Sequence, residues 1–328
     1  MKQAIVTGAG GFIGSHYVKY LKAKQYTVTG IDLKHPLYSP TLADVFIIGD
    51  LRSPEIAQKH ITGADELYMF AADMGGMGYI DHTRGKLMHD NVLINANTLE
   101  AARTARVKNI FFASSACVYP LEKQTSTSKS GLREDDVSPA NPDTMYGWEK
   151  LFSEKLCISY RLDYGMNTHV ARFHNIYGPE GAYEGGREKS IAAICRKIAG
   201  ATSGKNIDVW GDGKQRRSYC YIDDCCEGVY RLTQSSFHEP INIGSEESVT
   251  IDELVDTIAS IAGKIINKQY DYTKPQGVRG RNSDNTLLRK VIKWEPTTPL
   301  NKGLVLTYNW INNQIQKNTS TTHTNHDI

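Results

Sequence analysis

Through the first half of the chain, short apolar runs alternate with amphipathic stretches. The runs at 2–7, 27–32, 45–48, 66–70, 109–114 and 168–173 read as strands, and the stretches at 11–23, 53–61, 86–106 and 145–163 read as helices. This strand–helix alternation predicts an α/β fold built on a doubly wound parallel sheet. From about residue 174 the rhythm changes. Loops bearing Gly and Pro at 177–181, 185–186 and 211–213 separate helices predicted at 188–200, 223–235 and 250–262. The expected division is a sheet domain over 1–173 plus about 218–245, with a smaller, partly interleaved α/β lobe over about 174–217 plus 246–316. The polar, low-complexity tail 317–328 is expected to be disordered.

The first strand runs into Val6-Thr7-Gly8-Ala9-Gly10-Gly11-Phe12-Ile13-Gly14, which opens the first helix. Glycines at 8, 11 and 14, with Gly10 in addition, allow a tight turn and let backbone N–H groups approach a pyrophosphate at the positive helix end. Gly8, Gly11, Phe12, Ile13 and Gly14 are therefore candidate dinucleotide contacts, and the sheet becomes one of Rossmann type. Asp32 ends the second strand, where an acid hydrogen-bonds the ribose 2′-hydroxyl and repels a 2′-phosphate, so the expected cofactor is NAD. Asp50 and Leu51 follow the third strand and are assigned to the adenine site.

Chemistry collects at the carboxyl end of the 109–114 strand, where Ser114, Ser115, Ala116 and Cys117 follow in order. Tyr146 and Lys150 stand at i and i+4 of a predicted helix and so share a face. An ammonium one turn from a phenol lowers its ordinary pKa of about 10. A phenolate beside a nicotinamide can take the proton of an alcohol as its hydride leaves.

With these motifs the chain resembles the extended short-chain dehydrogenase/reductase family over about residues 3–316. Five segments narrow the resemblance to the branch that epimerises GDP-mannose at C3 and C5. They are AADMGGMGYI (71–80), SSACVYP (114–120), RFHNIYGPEGAYEGGREKS (172–190), WGDGKQRRS (210–218) and GVRGRNSDN (277–285). The resemblance implies oxidation at C4 with NAD as acceptor, Tyr146 as base, Lys150 supporting it and Ser115 holding the C4 oxygen. The resulting ketone makes the C3 and C5 hydrogens acidic. Cys117 is then implied as base and Lys189 as acid on opposite faces of the ring, both of residue types whose pKa can be brought near working pH.

Arg217 and Arg281 match diphosphate positions, for which a planar guanidinium suits. Gly75, Ala116, Asn175, Glu188, Lys197 and Gln215 match further substrate contacts, and Asp223 is expected to cap a helix. The implied product is GDP-L-galactose, with some GDP-L-gulose. A related epimerase acting at C4 or C5 alone, or on GDP-glucose or a GDP-heptose, stays open, as does a non-catalytic dinucleotide sensor. The resemblance also implies a homodimer through the helices at 86–106 and 145–163.

Composition trims the alternatives. The 328 residues carry a formal charge of only +2, which argues against a nucleic-acid partner. No apolar run approaches a bilayer span and Met1-Lys2-Gln3 leads straight into a strand, so a cytoplasmic protein with no membrane partner is expected. The six cysteines contain no Cys-x-x-Cys pair, so no metal site is expected, and free thiols are.

Overall fold

The computed structural model describes residues 1–128 and 130–323. Six strands predicted from the apolar runs form as β1 (Gln3–Thr7), β2 (Thr27–Asp32), β3 (Val45–Ile48), β4 (Glu66–Met69), β5 (Asn109–Ser115) and β6 (Asn167–Phe173). A seventh strand, Ile241–Ile243, escapes sequence reading because its three residues are too short to register as a run. All seven are parallel, in the order Ile241–Ile243, β6, β5, β4, β1, β2, β3. The order reverses at β1, and the crevice at the carboxyl ends there is where such sheets bind ligands.

The helices are α1 (Phe12–Ala23), α2 (Pro54–His60), α3 (Met77–His82), α4 (Arg84–Thr104), α5 (Met145–Tyr164), α6 (Ser190–Gly200), α7 (Ile222–Thr233), α8 (Ile251–Ala262), α9 (Thr286–Ile292) and α10 (Leu300–His323). Both faces of the sheet are covered. Alternation along β5 sends Phe111 into one core with Tyr17, Tyr68 and Val229, and Phe112 into the other with Leu99, Cys157 and Val170. Each ring is 1 % exposed, and truncating either to Ala would cost about 3–5 kcal/mol.

Among the described residues beyond β6 the chain builds three small sheets. Strand Arg216–Ser218 pairs with Ser248–Thr250 and with Gly280–Arg281, and this sheet carries two of the predicted arginines. Helix α10, which the sequence pattern did not suggest, buries Leu304, Tyr308 and Ile311 in the core that also holds Ile194 of α6 and Ile258 of α8. It runs on to His323, into the stretch expected to lack structure from Lys317; residues 324–328 of that stretch lie outside the described residues. Asp223 does not cap α7: the cap is Tyr221, and Asp223 sits in the first turn, where an acid still favours the positive helix end. Among the described residues no helix is long and apolar enough to cross a membrane.

Candidate active site

A cavity of about 1090 Å³ opens along the carboxyl ends of the strands and continues into the second lobe. Its dinucleotide end is made of backbone. Gly8 lies in the left-handed region at φ +72°, and a Cβ on Gly14 would fall 2.1 Å from Gly8 O. Gly11 is the N-cap of α1 and offers no side chain, so the first-turn N–H groups of Phe12 and Ile13 remain available to an anion. Asp32 accepts the Gly10 amide at 2.9 Å, and burial raises its carboxyl pKa against the pull of these backbone donors. Asp50 and Leu51 line the same end, Asp50 in a paired contact with Arg52 (2.6 Å) that holds its carboxyl below the usual range. Backbone amides at a helix start, with an acid at the end of β2, fit the pyrophosphate and ribose of NAD.

Deeper in, β5 ends at Ser115, whose Oγ accepts the Cys117 amide at 3.1 Å and starts a short 3-10 turn over Ala116–Val118. That turn brings Cys117 to the cavity wall. Helix α5 starts directly behind it, capped by Thr144 Oγ1 on the Gly147 amide at 3.1 Å. Only glycine fits at 147, because a Cβ would stand 2.1 Å from Cys117 O. Tyr146 is buried and hydrogen-bonded to Ser115. Lys150 lies one turn on, its Nζ 5.7 Å from the Tyr146 ring centre and 4.8 Å from that of Phe112.

The expected lowering of the phenol by this lysine is not what the structure gives. Burial is the largest effect and, with Cys117 and Glu149 nearby, holds Tyr146 well above its ordinary value; the Ser115 hydrogen bond is what pulls it down. Lys189, the N-cap residue of α6, lines the same cavity within electrostatic reach of Cys117, and desolvation lowers its ammonium pKa.

The two arginines behave differently. Arg281 is buried; it donates to Cys117 Sγ at 3.0 Å, to Asp143 Oδ1 at 3.0 Å and to Gln124 Oε1 at 2.5 Å. It is thus a donor to the thiol besides a candidate phosphate ligand. Arg217 meets only carbonyl oxygens, of Arg216 and Val278, and burial with repulsion from Arg281 lowers its pKa to about 10. Two close guanidiniums, one with no ion pair among the described residues, suit a diphosphate. Gln215 donates to Trp210 O at 2.9 Å, yet its buried Oε1 has no hydrogen-bond partner among the described residues, as is true of Glu188 Oε2. Asn175 donates to Ser218 O, Lys197 donates to Asp208 O, and Gly75 lines the same wall.

Residues 4–244 match the model of the NAD dependent epimerase/dehydratase family. The chain belongs to that family. It is 45 % identical to GDP-mannose 3,5-epimerase of Arabidopsis thaliana and 46 % identical to GDP-mannose 3,5-epimerase 1 of Oryza sativa subsp. japonica, each over 95 % of this chain and 82 % of the relative. UDP-glucose 4-epimerase of Thermus thermophilus, solved in complex with NAD, superposes with a TM-score of 0.80 at 24 % identity, over 94 % of this chain and 98 % of that one, and attests the fold.

Within this epimerase/dehydratase frame, every cofactor and substrate position singled out in the sequence lines the one cavity. Sequence reading missed a second layer. Asp73, Tyr79 and Arg187 form a knot at the cavity mouth, and Asp143 and Gln124 hold Arg281 from behind. Asp73 and Arg187 both fall in segments that drew attention, but neither has a local signature: their partnership joins residues 114 positions apart.

Proposed function

We propose that this family member epimerises GDP-mannose at C3 and C5, giving GDP-L-galactose with some GDP-L-gulose. The observation that supports the reading is that Cys117 and Lys189 line, within electrostatic reach of one another, a cavity that also holds Ser115, Tyr146 and Lys150. The kinship with two plant proteins bearing that activity in their names supports it. NAD, held by the Gly8–Gly14 amides and Asp32, supplies a hydride acceptor for C4.

Tyr146 takes the proton of the C4 hydroxyl while Ser115 hydrogen-bonds the same oxygen. The C4 ketone acidifies the hydrogens on C3 and C5. The Cys117 thiolate, stabilised as an acceptor by Arg281, removes one of them and leaves the electron pair in an enolate. The Lys189 ammonium returns a proton on the opposite face, and inversion results. Tyr146 then returns its proton to the C4 oxygen as C4 takes its hydride back from the bound cofactor, so the ketone is reduced and the cycle involves no net oxidation. A lysine with a lowered pKa donates more readily near neutral pH than an ordinary one.

The test is proton exchange. With GDP-mannose in D₂O, deuterium at C5 or at both C3 and C5 by NMR is the expected result. No deuterium at either carbon from folded, NAD-loaded protein would sink the reading.

We also infer a homodimer through α4 and α5. Met88, Val92, Met145, Trp148 and Phe152 form an apolar face there, with Phe152 49 % and Met145 42 % exposed. A second copy presenting the same face would cover both. Light scattering should give twice the chain mass, and Phe152→Glu should halve it; a monomeric wild type would refute the dimer. Six buried free thiols agree with work in the reducing cytoplasm.

A further inference from the structure

Lys189 presents a difficulty. Its ammonium takes no hydrogen bond or ion pair among the described residues, so its aim depends on the backbone that carries it. On one side that backbone is the start of α6. On the other it is a loop beginning with Gly185 and Gly186, both at positive φ (+86° and +82°) and with open space around them. Such a pair gives the chain no stiffness of its own.

The stiffness comes from Arg187. Its Nη1 donates to Asp73 Oδ1 at 2.9 Å and to Met74 O at 3.1 Å, its Nη2 donates to Tyr79 Oη at 2.6 Å, and its guanidinium lies 4.0 Å over the Tyr79 ring centre. Tyr79 in turn donates to both Asp73 oxygens, at 2.7 and 2.9 Å. The main chains lock too: the Gly76 amide donates to Arg187 O at 3.1 Å, and a Cβ on Gly76 would stand 2.4 Å from Glu188 O. Asp73 is anchored to α4, its amide donating to Asn91 Oδ1 at 2.6 Å, and Asn91 reaches Glu149 Oε2 at 3.3 Å on α5, between Tyr146 and Lys150. An unbroken line of contacts thus runs from the helix that carries Tyr146 to Arg187, two residues before Lys189.

We propose that Arg187, clasped by Asp73 and Tyr79, is a positioning residue that holds Lys189 on the ring face opposite Cys117. The proposal rests on the epimerase reading above. It makes Arg187 a determinant of stereochemistry. After Cys117 has taken a proton from C5 or C3, the enolate has two fates. A proton from Lys189 inverts the carbon. A proton returned by Cys117, once its thiol has exchanged with solvent, restores the starting sugar with deuterium in place. Loosening Lys189 favours the second fate without touching the first proton transfer.

The experiment uses NAD-loaded protein and GDP-mannose in D₂O, and reads the ratio of deuterated, uninverted GDP-mannose to inverted product. A misplacement of about 1 Å costs on the order of 100-fold in rate, so Arg187→Met should raise the ratio about 10- to 100-fold while C5 exchange persists. Arg187→Lys, which keeps the charge, should restore it in part. Tyr79→Phe keeps the ring and the Asp73–Arg187 pair and should raise the ratio less. An unchanged ratio in Arg187→Met, whether or not total turnover falls, overturns the proposal. Should that variant fail to fold or to hold NAD, Tyr79→Phe decides, and an unchanged ratio there overturns the proposal equally. Wild-type protein that incorporates no deuterium defeats the epimerase reading itself, a distinct result.

Discussion

The two ends of the cavity are built by opposite means. The dinucleotide end is backbone: glycines, a helix start and one acid, drawn mostly from a single strand–turn–helix. The sugar end is side chains, contributed by the ends of β5 and α5, the start of α6, and the small sheet that carries Arg217 and Arg281. The first is therefore rigid and intolerant of any added atom. The second is precise only as far as its neighbours hold each side chain. Damage should be all-or-none at one end and graded, step by step, at the other.

Gly14→Ala gives the largest expected effect. Its methyl would sit 2.1 Å from Gly8 O, and overpacking of that kind costs about 2–3 kcal/mol, roughly 100-fold in NAD retention. Assaying NAD released from the purified variant checks this, and a full complement would show that the cradle is softer than its geometry. Cys117→Ala should reduce deuterium entry at C3 and C5 by about 100- to 10,000-fold, with NAD retained and its reduction by the C4 hydride, read as NADH absorbance, intact. Equal loss of cofactor reduction and of deuterium entry would mean that the two ends are not separable. Arg217→Met should raise KM about 10- to 100-fold with a smaller change in kcat, the worth of charge-assisted hydrogen bonds to a diphosphate.

The smallest expected effect is one of pH. Lys189 must carry its proton in order to donate it, and desolvation lowers its pKa. Activity should therefore fall on the alkaline side, beginning below the ordinary lysine value of about 10.4. A kcat profile flat to pH ~10 would remove Lys189 from the acid role.

The same contrast explains what sequence could disclose. The six long strands and the glycine turn were legible because their signals are local: apolar runs of four to seven residues, and three glycines at fixed spacing. Tyr146 and Lys150 were legible through helical periodicity, Cys117 through its place at a strand end. The net balance at Tyr146 was not legible, because spacing gives the face but neither the 5.7 Å separation from Lys150 nor the burial of the phenol. Ile241–Ile243 was too short to read, and the polar positions of α10 masked the apolar stripe through Leu304, Tyr308 and Ile311. Arg187 lay inside a segment that drew attention, but its role could not be read there, because its partner Asp73 is 114 positions away in the chain.

The closeness of Arg217 and Arg281 has a thermal consequence. The folded chain holds two like charges together, and among the described residues Asp143 pairs directly with Arg281 and offsets the charge of Arg217 only from a distance. Any anion seated between them will favour the native state over the unfolded one. At a hundredfold excess over its dissociation constant, that gain is about 2.7 kcal/mol. The melting temperature should accordingly depend on the buffer, rising from chloride to pyrophosphate to a nucleoside diphosphate. Shelf life and heat resistance would then follow the anion supplied as much as the chain itself.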